Sequence, residues 1–462
     1  MRKLLISILT VAATASAARA DGEAKNVIFF LGDGMGPADV TAARIYKYGE
    51  DGMLHMESLP RTAKIRTYSH DAQTTDSAPS MAAYMTGVKM NNEVVSMTAD
   101  TIAIPPGANG ANACASNGAN GTAVPTLLEM AKAHGKAVGA VTTTRVTHAT
   151  PAVTYAHICH RDLENDIAAE AVPGGTGFNA ALGAGLDVLF GGGRRHFLPT
   201  TTSGGKRTDG RDLVAELTTA GYTYVADRAG LMGMNAATTT KAVGLFNASH
   251  MTYELDRAAT SEPSLTEMTT KAIDILAKDP DGYFLMVEGG RIDHAEHETN
   301  AKRALEETIA FDDAIAATLA KVDLTNTLIV VTADHDHTMI INGYAKRTGP
   351  TTAQNAGVLG LVKNVVGGAL TLDAEGMPYT ILGFGNGENR VAGARSTVAA
   401  LTEEITAAAN YHQEAAVRMP AGGETHGGGD VMLMATGAGA TRFKGTMVNA
   451  HVYDLVKQAF GF

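Results

Sequence analysis

The chain has 462 residues, of which 45% are hydrophobic and 18% are charged, and this composition excludes a disordered or collagen-like protein. Its 37 basic and 48 acidic residues give a formal charge of −11, which argues against nucleic acid as a partner. Aromatic residues make up only 5% of the chain, so we expect a core of aliphatic side chains and methionine.

The first twenty residues have the features of a secretory signal peptide. Arg2 and Lys3 precede a mostly apolar stretch, and the small-x-small sequence Ala18-Arg19-Ala20 follows it. We therefore predict cleavage after Ala20, a mature single domain of residues 21–462, and a periplasmic or secreted location. A buried N-terminal helix is the alternative. No later run reaches the ~20 apolar residues of a membrane-spanning helix, so we expect no stable membrane association.

Short apolar runs alternate with helical patterns along the chain, which predicts an α/β fold with a central, largely parallel sheet and helices on both faces. The predicted strands are Val27–Leu31, Lys64–Tyr68, Ala137–Thr142, Leu186–Phe190, Tyr283–Val287, Leu328–Thr332, Tyr379–Gly383 and Val431–Ala435. The predicted helices are Ser77–Thr86, Val124–His134, Asp162–Ala171, Thr266–Ala277, Asn300–Ala320 and Val398–Ala408. Two stretches interrupt the alternation and are interpreted as surface insertions, at about 199–251 and 348–424.

Polar clusters follow three of the predicted strands at the point where each strand ends. They are Gly32-Asp33-Gly34, Glu288 with Asp293-His294-Ala295-Glu296-His297, and Asp334-His335-Asp336-His337. A fourth cluster, Glu424-Thr425-His426, precedes the last predicted strand. Because ligands of open α/β sheets bind at the carboxyl ends of the strands, the four clusters together predict a metal centre.

The residue types indicate which metals such a centre would hold. Zn²⁺ binds imidazole nitrogen and carboxylate oxygen, whereas Mg²⁺ prefers carboxylates, hydroxyls and water. Asp293 and His297 are four residues apart, so one helical turn brings both to the same ion. The clusters contain no cysteine, which favours a hydrolytic centre with several metals over a structural zinc site.

Ser77 is the candidate nucleophile. It begins a predicted helix whose free N–H groups and positive dipole end favour an anion. No histidine lies near it in the sequence to act as a base, but coordination to zinc would activate its hydroxyl. In isolation, Ser77 could equally be a helix cap.

The motifs, taken as an ordered set, resemble those of the alkaline phosphatases. The matching segments are 32–36, 75–78, 147–151, 287–294, 332–335 and 424–428, so the resemblance covers nearly the whole mature chain. It implies an alkaline-phosphatase-like catalytic domain over residues 21–462, which hydrolyses small-molecule phosphate monoesters at alkaline pH. The reaction would pass through a phosphoserine intermediate and release an alcohol and inorganic phosphate. The resemblance also implies a homodimer.

The resemblance further implies a role for each site residue. Ser77 would be the nucleophile, Arg161 would bind the phosphate, and Asp76 would orient Arg161. One zinc ion would be held by Asp293, His297 and His426, a second by Asp33, Ser77, Asp334 and His335, and a magnesium ion by Asp33, Thr150 and Glu288. Some relatives carry Asp and Lys where this chain has His148 and His294. Both histidines are therefore expected near the third metal, which could be magnesium or zinc.

Three other functions have weaker support from the sequence. Related phosphodiesterases often use threonine as nucleophile and lack the third metal, whereas this chain has Ser77 and the pair Thr150 and Glu288. Sulfatases need an arginine that the segment 77–81 lacks. A non-catalytic metal-binding protein would have lost its nucleophile or a ligand, and none is missing.

The two cysteines, Cys114 and Cys159, leave two possibilities open. An exported protein permits a disulfide between them, but one bridge cannot form a scaffold for a chain of this length. The sequence favours neither the bridged nor the free form.

Overall fold

The computed structural model describes residues 24–116 and 118–462, so the predicted signal peptide lies outside the described residues. The strands are β1 (Asn26–Gly32), β2 (Arg61–Arg66), β3 (Ala137–Arg145), β4 (Val188–Gly192), β5 (Thr223–Val225), β6 (Ala242–Leu245), β7 (Tyr283–Gly289), β8 (Thr327–Ala333), β9 (Asp336–His337), β10 (Met339–Ile341), β11 (Leu382–Gly387), β12 (Ala415–Arg418), β13 (His426–Gly427), β14 (Val431–Gly437) and β15 (Gly445–Val448).

The helices between them are α1 (Pro37–Tyr48), α2 (Ser77–Thr86), α3 (Leu127–Ala133), α4 (Ala149–Ala152), α5 (Glu164–Glu170), α6 (Leu213–Thr219), α7 (Arg228–Gly233), α8 (Glu254–Arg257), α9 (Leu265–Leu276), α10 (Arg291–His297), α11 (Ala301–Lys321), α12 (Glu403–Thr406) and α13 (Asn449–Phe460). Of the helices within residues 24–116 and 118–462, none is long and apolar enough to cross a bilayer.

Ten strands form the main sheet, in the order β15-β2-β14-β8-β1-β7-β3-β4-β6-β5. Its described pairings are parallel except the two that β14 makes, with β8 and with β2. Two smaller sheets contain β10-β11-β12 and β13-β9. The predicted α/β fold with a largely parallel sheet is therefore confirmed.

Helices cover both faces of this sheet. Strands β7 and β8 are buried along their whole length, as apolar strands of a parallel sheet must be when both faces are covered. Helices α1 and α9 both pack on α11, whereas α2 packs on α3 and α13. Strand β3 contacts α9 from the first group and α3 from the second, so the two groups lie on opposite faces.

Several predicted elements are displaced or wrong. The second predicted strand begins earlier, at Arg61, and the seventh begins later, at Leu382, and lies in a small sheet instead of the main one. The predicted helix Val398–Ala408 is wrong except for the single turn of α12. That turn begins after Thr402, whose side chain accepts a hydrogen bond from the N–H of Ile405, so the helix starts at this cap.

The stretch 199–251 is not only a surface insertion, which corrects the prediction. It contains β5 and β6, which pair in parallel and form one edge of the main sheet beside β4. Strand β6 is fully buried, but its four residues lie in a threonine- and glycine-rich stretch and are too short a run to predict a strand from the sequence. The stretch 348–424 contains β11 and β12 of the three-stranded sheet.

Cys114 and Cys159 form a disulfide, with their Cα atoms 5.6 Å apart, which decides between the two possibilities. The bridge ties the glycine- and asparagine-rich loop around Cys114 to the segment that leads into Arg161.

Candidate active site

The predicted site residues meet where the central strands of the main sheet end. Strand β1 lies between β7 and β8, with Leu31 opposite both Glu288 and Thr332. Asp33 follows β1, Asp334 follows β8 and Glu288 lies near the end of β7. This register brings three carboxylates from distant parts of the chain to one edge of the sheet.

Asp33, Ser77, Asp334 and His335 form the base of the site, which we call the floor. Each of these residues is at most 2% exposed. The Ser77 hydroxyl donates a hydrogen bond to Asp33 Oδ1 at 3.4 Å and lies 3.2 Å from His335 Nε2. That same His335 nitrogen is 3.3 Å from Asp33 Oδ1 and 3.5 Å from Asp334 Oδ2. The floor therefore contains the four residues predicted to hold the second zinc ion.

Ser77 is the first residue of α2, and Asp76, with an extended backbone, precedes it. The helix ends at Gly87, whose φ of +73° closes the last turn in the left-handed conformation. Because Ser77 is the first helical residue, the unpaired N–H groups of the first turn lie beside its hydroxyl. An anion that binds at this end of the helix would lie next to the nucleophile.

The chemistry of the floor fits a bound cation. In and beside the floor, four buried oxygens find no hydrogen-bond partner among residues 24–116 and 118–462: Asp33 Oδ2, Asp334 Oδ2, Glu288 Oε1 and the hydroxyl of Thr150. Burial, together with the nearby Asp33 carboxylate, raises the pKa of Glu288 to about 8. The same two causes raise the pKa of Asp334 well above its usual value. A cation would satisfy these oxygens and neutralise their mutual repulsion.

The predicted magnesium ligands lie beside the floor. Single ligand atoms of Asp33, His148 and Glu288 lie within 4.8 Å of one another. Glu288 also accepts hydrogen bonds from the hydroxyls of Thr142 and Thr144, which fix its carboxylate. The hydroxyl of Thr150 lies close enough to Glu288 to lower the pKa of that carboxyl. The predicted magnesium site, which we call the third position, thus combines oxygen ligands with one imidazole, that of His148.

A second cluster, which we call the outer cluster, consists of Asp293, His297, His337 and His426. One ligand atom of each lies within 4.8 Å of the others. Asp293 Oδ1 is 3.2 Å from His297 Nε2, 3.4 Å from His426 Nε2 and 2.8 Å from His337 Nε2. Burial opposes ionisation of Asp293, but the surrounding histidines outweigh it and hold its pKa well below the usual value.

His337 has no predicted role, yet the structure places it in the outer cluster. Strands β9 and β13 pair so that His337 is opposite His426. Glu424 Oε2 lies 2.6 Å from the other His337 nitrogen, Nδ1. The sequence Asp334-His335-Asp336-His337 contains this residue, but only the pairing of two short strands shows which cluster it joins.

Asp76, Glu93, His148 and Arg161 form the edge of the site, which we call the rim. The guanidinium of Arg161 donates to Asp76 Oδ1 and, at 3.0 Å, to His148 Nε2. Burial opposes ionisation of Asp76, but the positive charge of Arg161 outweighs it and lowers the pKa of that carboxyl. The rim and Ser77 line one open cleft of about 600 Å³, together with three members of the outer cluster, Asp293, His297 and His426.

His148 and His294 lie together, and a third histidine, His250, joins them. The ring centroids of His250 and His294 are 4.2 Å apart, and His148 lies 5.2 Å from His250 and 5.4 Å from His294. Each imidazole contacts an arginine: Arg161 for His148, Arg145 for His250 and Arg291 for His294. His250 was not predicted because it lies in the stretch 199–251, where no motif surrounds it.

Comparisons with known proteins agree with this arrangement. The sequence model of the family described as alkaline phosphatase matches residues 24–462. The tissue-nonspecific alkaline phosphatase of Gallus gallus is 40% identical over 443 residues, which cover 90% of this chain and 80% of that protein. The membrane-bound alkaline phosphatase of Bombyx mori is 36% identical and covers 95% of this chain and 80% of its own length.

Solved structures of two bacterial alkaline phosphatases have the same fold as this chain. The alkaline phosphatase of Thermus thermophilus is 26% identical, with a TM-score of 0.65 over 98% of this chain and 96% of its own. The alkaline phosphatase of the Antarctic bacterium TAB5 shares the fold at 23% identity, with a TM-score of 0.64 over 96% of this chain and 99% of its own.

Proposed function

The chain belongs to the alkaline phosphatase family and hydrolyses phosphate monoesters, and we propose that the Ser77 hydroxyl is its nucleophile. The observation that carries this proposal is the position of Ser77 on the floor. Its oxygen lies at the start of a ten-residue helix, within 3.4 Å of both Asp33 and His335. The proposal combines a helix end that attracts the phosphate with a hydroxyl surrounded by metal-ligand side chains.

We propose that these clusters provide two zinc sites and one magnesium site. Asp293, His297 and His426 would hold one zinc ion, and the floor would hold the other. Asp33, Thr150 and Glu288 would hold magnesium. When bound, these ions would lower the pKa of coordinated hydroxyl groups and neutralise charge on the reacting oxygens. Because His148 reaches the third position, that position could take zinc instead, since imidazole favours Zn²⁺ over Mg²⁺.

The proposed reaction has two displacements at phosphorus. Ser77 Oγ forms a bond to phosphorus, and the bond from phosphorus to the alcohol oxygen breaks, which releases the alcohol and leaves phosphoserine. Water then attacks the same phosphorus, and the bond to Ser77 breaks, which regenerates the hydroxyl and releases inorganic phosphate. Asp33 Oδ1 accepts a hydrogen bond from Ser77 before the reaction, so a proton acceptor is already in contact with the nucleophile.

Arg161 is proposed to bind two oxygens of the phosphate. A guanidinium has five N–H donors in a planar fork, and Asp76 and His148 each accept from a different terminal nitrogen of Arg161. Each terminal nitrogen carries a second N–H, so donors remain for a phosphate that enters the cleft. Asp76 and His148 thereby fix the plane of the guanidinium from two sides.

Export and assembly are part of the proposal as well. The features of residues 1–20 support secretion, or export to the periplasm, through a signal peptide. The resemblance to the family supports a homodimer. Light scattering coupled to size-exclusion chromatography of the mature chain would give twice the monomer mass if the dimer proposal is correct.

One experiment separates this function from its relatives. The purified protein, with its metal content determined, is assayed on an aryl phosphate monoester, an aryl phosphate diester and an aryl sulfate. We expect the monoester to be hydrolysed much faster than the other two. A preference for the diester or the sulfate would contradict the proposal, and so would full activity in a metal-free sample.

A further inference from the structure

Glu93 has an unusual backbone conformation at the rim. Its φ is +72°, in the left-handed region that residues with a side chain rarely adopt. It lies in the turn after α2, and it lines the cleft next to Asp76 and Arg161. Strain of this kind persists only where the surroundings hold it in place, and it is concentrated at functional sites.

The backbone of Glu93 is held by Asp76 and Arg161, which lie on either side of the proposed phosphate position. Its N–H donates to Asp76 Oδ2 at 2.8 Å, and its carbonyl accepts from the N–H of Arg161 at 2.8 Å. The preceding residue, Asn92, also accepts from the N–H of Asp76 with its side chain, at 3.1 Å. The backbone of Glu93, from which its side chain extends, is therefore fixed relative to Asp76 and Arg161.

The carboxylate of Glu93 is close enough to Arg161 to interact with its charge, but it is not paired with the guanidinium. Among residues 24–116 and 118–462 it accepts no hydrogen bond and forms no ion pair, although the side chain is half-buried. Burial, together with the neighbouring Asp76 carboxylate, raises the pKa of Glu93 to about 7, so the group is charged at alkaline pH. A fixed negative charge beside the phosphate position repels anions, and it would attract a cation that enters the same cleft.

We propose that Glu93 determines which leaving groups the enzyme prefers. Its carboxylate favours phosphate monoesters whose alcohol carries a positive charge close to the phosphate, as in an amino alcohol. It disfavours esters whose alcohol carries a carboxylate, because like charges at short range cost binding energy. The inference rests on the proposed function, since the leaving group and the phosphate occupy one cleft.

Three probes of similar size test this role: 2-aminoethyl phosphate, 2-hydroxyethyl phosphate and carboxymethyl phosphate. The metal-loaded enzyme is assayed for kcat/KM on each at pH 8 and low ionic strength, where the amine is protonated. We expect the aminoethyl ester to be the best substrate and the carboxymethyl ester the worst, with roughly 3- to 10-fold between successive probes for a half-buried charge. Glu93→Gln should remove most of this difference, and 0.5 M salt should reduce it in the wild type.

Two further variants control for charge and for backbone strain. Glu404 is exposed on helix α12 and does not line the cleft, so Glu404→Gln removes the same charge outside the cleft and should keep the wild-type preference. Glu93→Gly relieves the positive φ and should lose the preference as Glu93→Gln does, because glycine adopts this conformation without strain.

The outcomes separate the two proposals. An unchanged order of the three probes in Glu93→Gln, or an equal loss on all three, would overturn the role of the carboxylate. A wild-type preference that 0.5 M salt does not reduce at all would do the same. If the wild type hydrolyses none of the probes, the proposed function fails and this inference falls with it.

Discussion

The floor and the rim of the cleft are held in place in different ways. Floor residues Asp33, Asp334 and His335 directly follow buried strands of the main sheet, and their positions depend on strand register. Rim residues come from separate loops and are joined by side-chain and backbone hydrogen bonds, such as that from Glu93 to Asp76. The difference suggests that the floor supplies the chemistry, whereas the rim adjusts how phosphate and leaving group are held.

Metal removal should have the largest effect, because it empties both the floor and the outer cluster. A chelator is expected to abolish activity, zinc should restore most of it, and magnesium should add a further increment. The reason is that the proposed ligands are carboxylates, imidazoles and hydroxyls, the types that suit these ions. Activity and metal content are measured on the same samples. Activity that survives in a verified metal-free sample would contradict the whole account.

Replacing the nucleophile tests the floor alone. We expect Ser77→Ala to bind zinc and phosphate almost normally but to lose at least about 10³-fold in kcat, since the covalent step is removed while the other groups remain. The exposed residue Ser58 provides a matched control, and Ser58→Ala should keep wild-type rates. Wild-type turnover in Ser77→Ala would exclude Ser77 as the nucleophile.

Replacing Arg161 tests the rim, and we expect a smaller loss of activity than for Ser77→Ala. Arg161→Lys keeps the charge but loses the planar fork, and we expect kcat/KM to fall about 10- to 100-fold, with metal content unchanged. Arg228 on α7 pairs with Glu267 at the surface, so Arg228→Lys is the corresponding control. A loss of bound metal in Arg161→Lys would show that floor and rim are not separate as described.

Replacing His148 and His294 should have the smallest effect on turnover. The effect should be confined to magnesium and phosphate binding. The double variant His148→Asp with His294→Lys adds a hard oxygen ligand and a positive charge near the phosphate. We expect it to hold magnesium more selectively and to bind phosphate more tightly, so that turnover falls several-fold if product release is limiting. Unchanged phosphate inhibition and unchanged magnesium activation would mean that both imidazoles only pack against their neighbours.

The floor could be predicted from the sequence because its signals are local. Asp33 and Asp334 come directly after continuous apolar strands, and parallel strands place their carboxyl ends at one edge. Helix α2 was predicted with its observed bounds for the same reason, since its apolar run ends at Gly87. Helix α1 was missed, although Pro37 at its first position is a typical helix start.

The remaining parts of the site depend on contacts between distant segments. Glu93 touches Arg161, 68 positions later in the chain, only because the bridge between Val95 and Ile158 brings their loops together. His337 joins the outer cluster through the pairing of two-residue strands, which have no periodicity to detect. His250 follows the short strand β6, so its place beside His294 depends on the path of a stretch interpreted as a surface insertion.

The central claim, that Ser77 is the nucleophile, is tested most directly by trapping its phosphorylated form. The metal-loaded enzyme is mixed with a phosphate-labelled monoester, quenched in acid, digested and mapped by mass spectrometry. The account predicts phosphoserine at Ser77 in the wild type and no label in Ser77→Ala. A label on any other residue, or turnover with no phosphorylated Ser77 at any quench time, would contradict it.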